Sequence, residues 1–128
     1  VKDGELYSGG QGTQKGSGVF IYLDTKNECL KEPAEGVYKV WCSYKGDITV
    51  WQGNKGKWEN SELEGLQITP SVVSGGYELA FTIHLNRSFN KDAMRLCATL
   101  STKTYTETLV HSNADRSCTW MKMNLGGH

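Results

Sequence analysis

A chain of 128 residues with 38% hydrophobic and 22% charged residues is long enough for one globular domain with its own core. Lysine plus arginine equals aspartate plus glutamate, 14 each, so the formal net charge is zero. Proteins that bind nucleic acid or anionic membrane surfaces need an excess of basic residues, so the charge balance argues against both classes. We expect a single domain, 1–128, without a nucleic-acid partner and attached to a membrane only through an anchor outside this chain.

The predicted elements begin after a glycine-rich N-terminal stretch, 1–15, which is typical of a flexible lead-in. Strand-like segments follow, each bounded by Gly, Asn, Asp, Ser or Pro. They are 18–25, 36–44, 48–53, 66–73, 77–85, 93–101, 104–112 and 117–125. No segment shows the sustained apolar spacing of a capped helix. This succession predicts an all-β, antiparallel β-sandwich, with 113–128 as an extra C-terminal strand or tail.

Alternating side chains predict which face of two strands is buried. In 77–85 the apolar face carries Tyr77, Leu79, Phe81, Ile83 and Leu85. In 36–44 the more apolar face carries Tyr38, Val40, Cys42 and Tyr44. We therefore expect Cys42 to point into the core and Trp41 to point outward. Pro70 indicates that 66–73 is an edge strand or contains a bulge.

The four cysteines are Cys29, Cys42, Cys97 and Cys118, and none belongs to a C-x-x-C motif. An even number at long separations predicts two structural disulfides, and hence an extracellular protein, secreted or on the cell surface. The sequon NRS predicts a glycosylation site at Asn86, which agrees with that location. The spacing alone leaves all three possible pairings open.

Three stretches together resemble a variable-type domain of the immunoglobulin superfamily. They are VYKVWCSYKGDITVWQG (37–53), YELAFTIHL (77–85) and DAMRLCATLS (92–101), and the resemblance extends over roughly residues 16–112. In that family a core tryptophan, here Trp41 or Trp51, precedes an alternating strand and then an acidic residue before a core cysteine, here Asp92 and Cys97. The resemblance implies an immunoglobulin-like sandwich.

Two registers fit this resemblance. In the first, Trp41 is the core tryptophan and Leu23 takes the place of the first core cysteine. In the second, Cys42 is that cysteine and Cys97 is its partner, which the alternation in 36–44 favours. The resemblance then implies the pairs Cys42–Cys97 and Cys29–Cys118, so that two disulfides staple the domain.

Catalytic and metal-binding patterns are absent from the sequence. His84, His111 and His128 are far apart and have no zinc-ligand spacing. No phosphate-binding loop and no nucleophile elbow is present. Glu59, Glu62 and Glu64 are typical of a solvated loop, and a calcium site there is the less favoured interpretation. We expect no enzyme, no cofactor and no metal.

Aromatic residues are the better functional signal, and the predicted binding residues are Trp41, Tyr44, Trp51, Trp58 and Trp120. Exposed aromatics beside amides suit a protein interface or stacking on sugar rings. The main hypothesis is an extracellular recognition or adhesion module, from a cell-surface receptor or a secreted decoy, that binds a protein on another cell or a copy of itself. The alternative is a small secreted carbohydrate-binding, lectin-like module that uses Trp51, Trp58 and Trp120. A secreted inhibitor, toxin or ligand carrier is a third, less favoured hypothesis.

Overall fold

The protein is represented by a computed structural model. The structure describes residues 17–84, 89–90, 93–101, 106–108, 117 and 120–124. Within these residues there are nine β-strands: β1 (Gly18–Asp24), β2 (Val37–Ser43), β3 (Ile48–Asn54), β4 (Lys57–Asn60), β5 (Leu66–Val73), β6 (Gly76–Ile83), β7 (Ala93–Ser101), β8 (Thr106–Thr108) and β9 (Met121–Asn124). In that same part of the chain, no helix is long and apolar enough to cross a bilayer.

Seven of these strands form one antiparallel sheet, in the order β4-β3-β2-β1-β7-β8, with β9 paired to β7 as well. Strand β1 is central, because it pairs along its whole length with β2 on one side and with β7 on the other. Strands β5 and β6 form a separate two-stranded antiparallel sheet. The prediction of an all-β antiparallel sandwich is therefore confirmed.

The core lies between one face of the large sheet and the small sheet. Its main cluster of buried residues is Leu23, Val40, Leu63, Phe89 and Met94. Leu66 and Ile68 of β5 and Ile83 of β6 pack against this cluster, and Val19 of β1 packs with Tyr77 of β6. Removal of this apolar surface from water stabilises the pairing of the two sheets.

Strand β4 lies between two predicted strands, 48–53 and 66–73, where the sequence predicts no strand. Lys55 and Gly56 both have positive φ, 49° and 84°, and Asn54 pairs directly with Lys57. Two consecutive positive-φ residues between paired strands form the two-residue hairpin turn that matches the twist of a sheet. The segment around Trp58 is consequently part of the large sheet and not of a loop.

The predicted disulfide Cys42–Cys97 is wrong, because the two cysteines are not joined. Both belong to the large sheet, where Cys42 pairs with Val19 and Cys97 pairs with Tyr22. Residues paired across neighbouring strands lie on the same face of the sheet. Val19 and Tyr22 are three positions apart in β1 and therefore lie on opposite faces. The thiols of Cys42 and Cys97 thus lie on opposite sides of one sheet. The prediction that two disulfides cross-link the domain is therefore not supported.

The other predicted pair, Cys29–Cys118, remains a prediction. Cys29 is not among the free cysteines of the described residues, and Cys118 lies outside those residues. The backbone N–H of Leu30 donates a hydrogen bond of 2.6 Å to Oγ of Ser117. The neighbours of the two cysteines are therefore in contact.

Alternation in β2 places Cys42 in the core, as predicted, and Trp41 on the opposite face. Trp41 is nevertheless only 4% exposed. The prediction that it points into solvent is wrong, because the face on which it lies is itself covered with aromatic rings.

Candidate binding face

The face of the large sheet turned away from the small sheet is lined with aromatic rings. Phe20 and Tyr22 of β1 lie on this face by alternation. Phe20 pairs with Trp41, and Tyr22 pairs with Lys39. We call this surface the aromatic face and define it by Phe20, Tyr22, Lys39, Trp41, Trp51, Trp58 and Trp120.

Strands β3 and β4 extend the aromatic face by the same register. Lys39 of β2 pairs with Trp51 of β3, and Gly53 of β3 pairs with Trp58 of β4. The tight turn after β3 brings Trp58 beside Gly53. Residues paired across antiparallel strands project to the same side of the sheet, so Trp58 lies on the same side as Trp51.

The rings form a connected chain of contacts. Phe20 lies 4.8 Å from Trp41 and 6.4 Å from Trp51, measured between ring centroids. Tyr22 lies 6.0 Å from Trp58 and 5.8 Å from Trp120. Distances in this range are those of favourable tilted or offset ring pairs, so the rings support one another and hold their orientations.

Lys39 lies in the middle of the aromatic face. Its Nζ is 5.0 Å from the Trp51 ring centroid and 5.1 Å from that of Phe20. The rings of Tyr22 and Trp58 are also near, at 5.9 and 6.0 Å. A cation within about 6 Å of a ring face is attracted by the ring quadrupole, so four rings position this ammonium group together.

The aromatic face has a buried part and an accessible part. Tyr22, Trp41 and Trp120 are buried, at 6%, 4% and 3% exposure. Phe20, Lys39, Trp51 and Trp58 are partly exposed. The buried rings therefore act as a support, and the partly exposed group is the part that a ligand can contact.

The loop between β1 and β2 fixes one end of the aromatic face. The backbone N–H of Gly56 donates to the carbonyl oxygen of Pro33 at 2.8 Å, and Leu30 packs against the cluster around Tyr22. The fully buried Asp24 carboxylate accepts hydrogen bonds from the N–H groups of Glu28 and Cys29, which holds the start of the loop. The ring positions at this end are thus tied to the backbone.

A polar groove of about 290 Å³ lies beside the β3–β4 hairpin. It is lined by Glu35, Gln52, Gly53, Asn54, Glu59, Asn60 and Ser61. The Gln52 side chain accepts a hydrogen bond from Gly36 N–H, and Asn54 Nδ2 donates to Glu59. Burial, and after it the charge of Glu35, raises the pKa of the nearby Tyr38 phenol. This groove is acidic and hydrogen-bonded within itself.

The predicted site residues separate into two groups. Trp41, Trp51, Trp58 and Trp120 come together on the aromatic face, whereas Tyr44 packs on Tyr77 on the core side, with 6.2 Å between ring centroids. The roles of these residues in binding stay predictions. Asn86, Asp92, Cys118, His111 and His128 lie outside the described residues.

Other predicted features involve ionisable residues. His84 is exposed at the end of β6. Among the described residues, which include Glu59, Glu62 and Glu64, no group of three or more His, Cys, Asp or Glu side chains could hold a metal ion.

Three members of the aromatic face were not predicted as site residues: Phe20, Tyr22 and Lys39. The signal was present in GVFIYLDT, where Phe20 and Tyr22 alternate with Val19, Ile21 and Leu23. Because both sets are apolar, alternation could not identify the core side. Lys39 lies on the same side of its strand as Trp41, but its contacts with four rings depend on strand order.

Comparisons with known proteins identify the fold. No protein-family model matches the sequence, and no curated protein matches it. Two solved structures are similar, both of a family 9 carbohydrate-binding module from Caldicellulosiruptor kristjanssonii, one in complex with cellotriose and one with glucose. Each has a TM-score of 0.76 and 13% sequence identity over 99% of this chain. This chain covers 66% of the first and 68% of the second, or about two thirds of their length.

These neighbours overturn the main functional hypothesis. They are carbohydrate-binding modules and not immunoglobulin-type domains. The interpretation as a receptor or adhesion module that binds a protein or a copy of itself is therefore wrong. The chain has the β-sandwich fold of a carbohydrate-binding module, which favours the lectin-like alternative.

Proposed function

We propose that this chain is a non-catalytic carbohydrate-binding module, and that the aromatic face is its binding surface. The observation that carries the proposal is the group formed by Phe20, Trp51 and Trp58 around Lys39. These side chains are partly exposed on one sheet face and rest on buried rings beneath and beside them. The C–H faces of sugar rings stack on such aromatic surfaces, and an ammonium group can donate hydrogen bonds to sugar oxygens.

Similarity of fold supports this proposal independently of the aromatic face. The structural neighbours were solved with glucose and cellotriose, and their fold covers 99% of this chain. The proposal includes an extracellular location, because polymeric glycans occur there. The protein acts by holding a glycan, without cleaving it.

Calorimetric titration of the purified protein with glucose and cellotriose, together with a glycan array to identify other ligands, tests the proposal. We expect saturable binding of at least one glycan. Trp58→Ala should weaken it by about tenfold or more, because a stacked ring is lost. Tyr44→Ala is the matched control, since it removes a ring of the core side and should leave the affinity unchanged. A blank array, or equal losses in both variants, would refute the proposal.

A further inference from the structure

Thr99 of β7 carries a buried hydroxyl group that is not satisfied by the fold. The residue is 7% exposed, and its Oγ1 forms no hydrogen bond within the part of the chain that the structure describes. A threonine hydroxyl can donate one hydrogen bond and accept two. When it is buried and forms none, the folded state is destabilised, because the hydrogen bonds to water have been lost. Such a group in a folded domain is explained by a partner that arrives from outside.

Packing and register both place Thr99 on the aromatic face. Cys97, two positions earlier on β7, packs with Tyr22 and Trp120 of that face. Residues two positions apart along a strand project to the same side of the sheet. The register agrees, because Thr99 pairs with Phe20 of β1. The unsatisfied hydroxyl therefore belongs to the neighbourhood of a partly exposed ring that a ligand can contact.

Phe20 stands between Trp41 and Thr99 in one row across the sheet. Trp41 supports Phe20 from one side, with 4.8 Å between their ring centroids. On the other side, the Cβ atoms of paired residues in antiparallel strands are about 4.5–5.5 Å apart, so Thr99 adjoins the phenyl ring. A sugar ring that stacks on Phe20 directs its equatorial hydroxyl groups sideways, past the edge of the phenyl ring. On the β7 side, such a hydroxyl group approaches Thr99.

A turn about χ1 lets the Thr99 hydroxyl meet this ligand. Rotation between staggered rotamers moves Oγ1 around the Cα–Cβ bond without any change in the backbone. In the described part of the chain no hydrogen bond opposes the turn, because Oγ1 forms none in its present rotamer. Valine has the same shape without the hydroxyl and a high preference for strands, so folding alone would favour valine at this position.

We propose that Thr99 is a binding residue of the aromatic face, and that its hydroxyl forms a hydrogen bond with a hydroxyl group of a sugar ring stacked on Phe20. This inference rests on the proposed carbohydrate-binding function and adds a residue that determines specificity. The rings supply a contact that any stacked sugar makes, whereas Thr99 favours a sugar with a free hydroxyl group at this edge of the ring.

Calorimetric titration of Thr99→Val with cellotriose tests the inference, and a glycan found on the array replaces cellotriose if that trisaccharide does not bind. We expect the affinity to fall about three- to tenfold, the usual effect of one lost hydrogen bond. The midpoint of urea unfolding without ligand should stay the same or rise, because an unsatisfied hydroxyl has been removed. A residue with a structural role only would lower affinity and stability together.

Two further variants serve as controls. Thr99→Ser retains the hydroxyl and should bind within about twofold of the wild-type affinity, although loss of the methyl group lowers the unfolding midpoint. Thr82→Val makes the same substitution at an exposed position of β6, in the small sheet, and should leave the affinity unchanged.

The outcomes distinguish this inference from the proposed function. An unchanged affinity of Thr99→Val, or equal losses of affinity in Thr99→Val and Thr99→Ser, overturns the role of Thr99 while glycan binding by the wild-type protein stands. A lower unfolding midpoint of Thr99→Val also overturns it, because the hydroxyl would then be satisfied without ligand. Absence of binding of any glycan to the wild-type protein overturns both proposals.

Discussion

Trp41 lies directly over Gly18 on the neighbouring strand. A methyl group at Gly18 would be 2.5 Å from Cη2 of Trp41 and 2.6 Å from the carbonyl oxygen of Cys42. Both distances are far below a van der Waals contact, so any side chain at this position displaces the tryptophan that supports Phe20. Gly18→Ala should therefore lower the free energy of unfolding by about 1–3 kcal/mol, the usual cost of overpacking. Urea denaturation measures the change, and an unaltered midpoint would contradict the close contact.

Apart from β4, the strand positions were predictable from the sequence because the strands are bounded by turn residues and several alternate in polarity. The pairing of strands was not. The β1 positions Val19 and Tyr22 are both apolar, and only strand order shows that one faces the small sheet and the other faces the aromatic rings. The immunoglobulin resemblance placed the core cysteines on facing sheets, whereas one strand of the same sheet separates them.

The candidate site was predictable only in part, because it also depends on which strands pair with each other. Tryptophan is a strong signal wherever it occurs, so Trp51 and Trp58 were noticed as ring-bearing residues beside a polar turn. Tyr44 gave an equal signal, yet it packs on Tyr77 on the core side, where the alternation in 36–44 had already placed it. Which aromatics gather on one surface depends on non-local pairing, which composition and alternation do not determine.

Peptide mapping without reduction should find Cys42 and Cys97 unlinked to each other. The reason is geometric, since the body of the sheet lies between the two side chains and a disulfide needs Cβ atoms about 4 Å apart. We expect one linked pair, Cys29–Cys118, because the residues next to these two cysteines are hydrogen-bonded to each other. Mass spectrometry of the digest decides the question, and a peptide that joins Cys42 to Cys97 would refute the observed register.

Stability should decrease at alkaline pH, in part through Cys42. Burial, reinforced by the nearby Asp47 carboxylate, raises the pKa of the Cys42 thiol to about 12, from a usual value of 9.0. Between these values the unfolded chain loses the thiol proton and the folded chain keeps it. The unfolded state then binds fewer protons, so the free energy of unfolding falls as pH rises from about 9 to about 12.

The contribution of Cys42 is isolated by comparison with Cys42→Ala. Burial and the charge of Glu35 also raise the pKa of Tyr38, so the wild-type protein loses stability through more than one group. The alanine variant should show a shallower decrease over the same pH range, as measured by urea denaturation at each pH. Parallel curves for the two proteins would show that the Cys42 thiol ionises as readily in the folded state as in the unfolded state.

Collisional quenching by acrylamide should distinguish the two classes of tryptophan. Trp51 and Trp58 are partly exposed, whereas Trp41 and Trp120 are 4% and 3% exposed. A neutral quencher reaches the first pair and not the second, so the quenchable fraction of the fluorescence should come from the accessible part of the aromatic face. The double variant Trp51→Phe/Trp58→Phe should retain emission that acrylamide hardly affects.

The matched control is Trp41→Phe, which removes a buried emitter. It should leave the quenchable emission in place, so the quenchable fraction of the remaining fluorescence should rise and not fall. A ligand bound at the aromatic face should protect Trp51 and Trp58 and reduce quenching in the wild-type protein to the level of the double variant. Equal quenching of the wild-type protein and the double variant in the absence of ligand would contradict the division of the aromatic face into supporting and accessible rings. If quenching is reduced by a glycan that also binds Trp58→Ala with unchanged affinity, the protected rings and the binding surface are different.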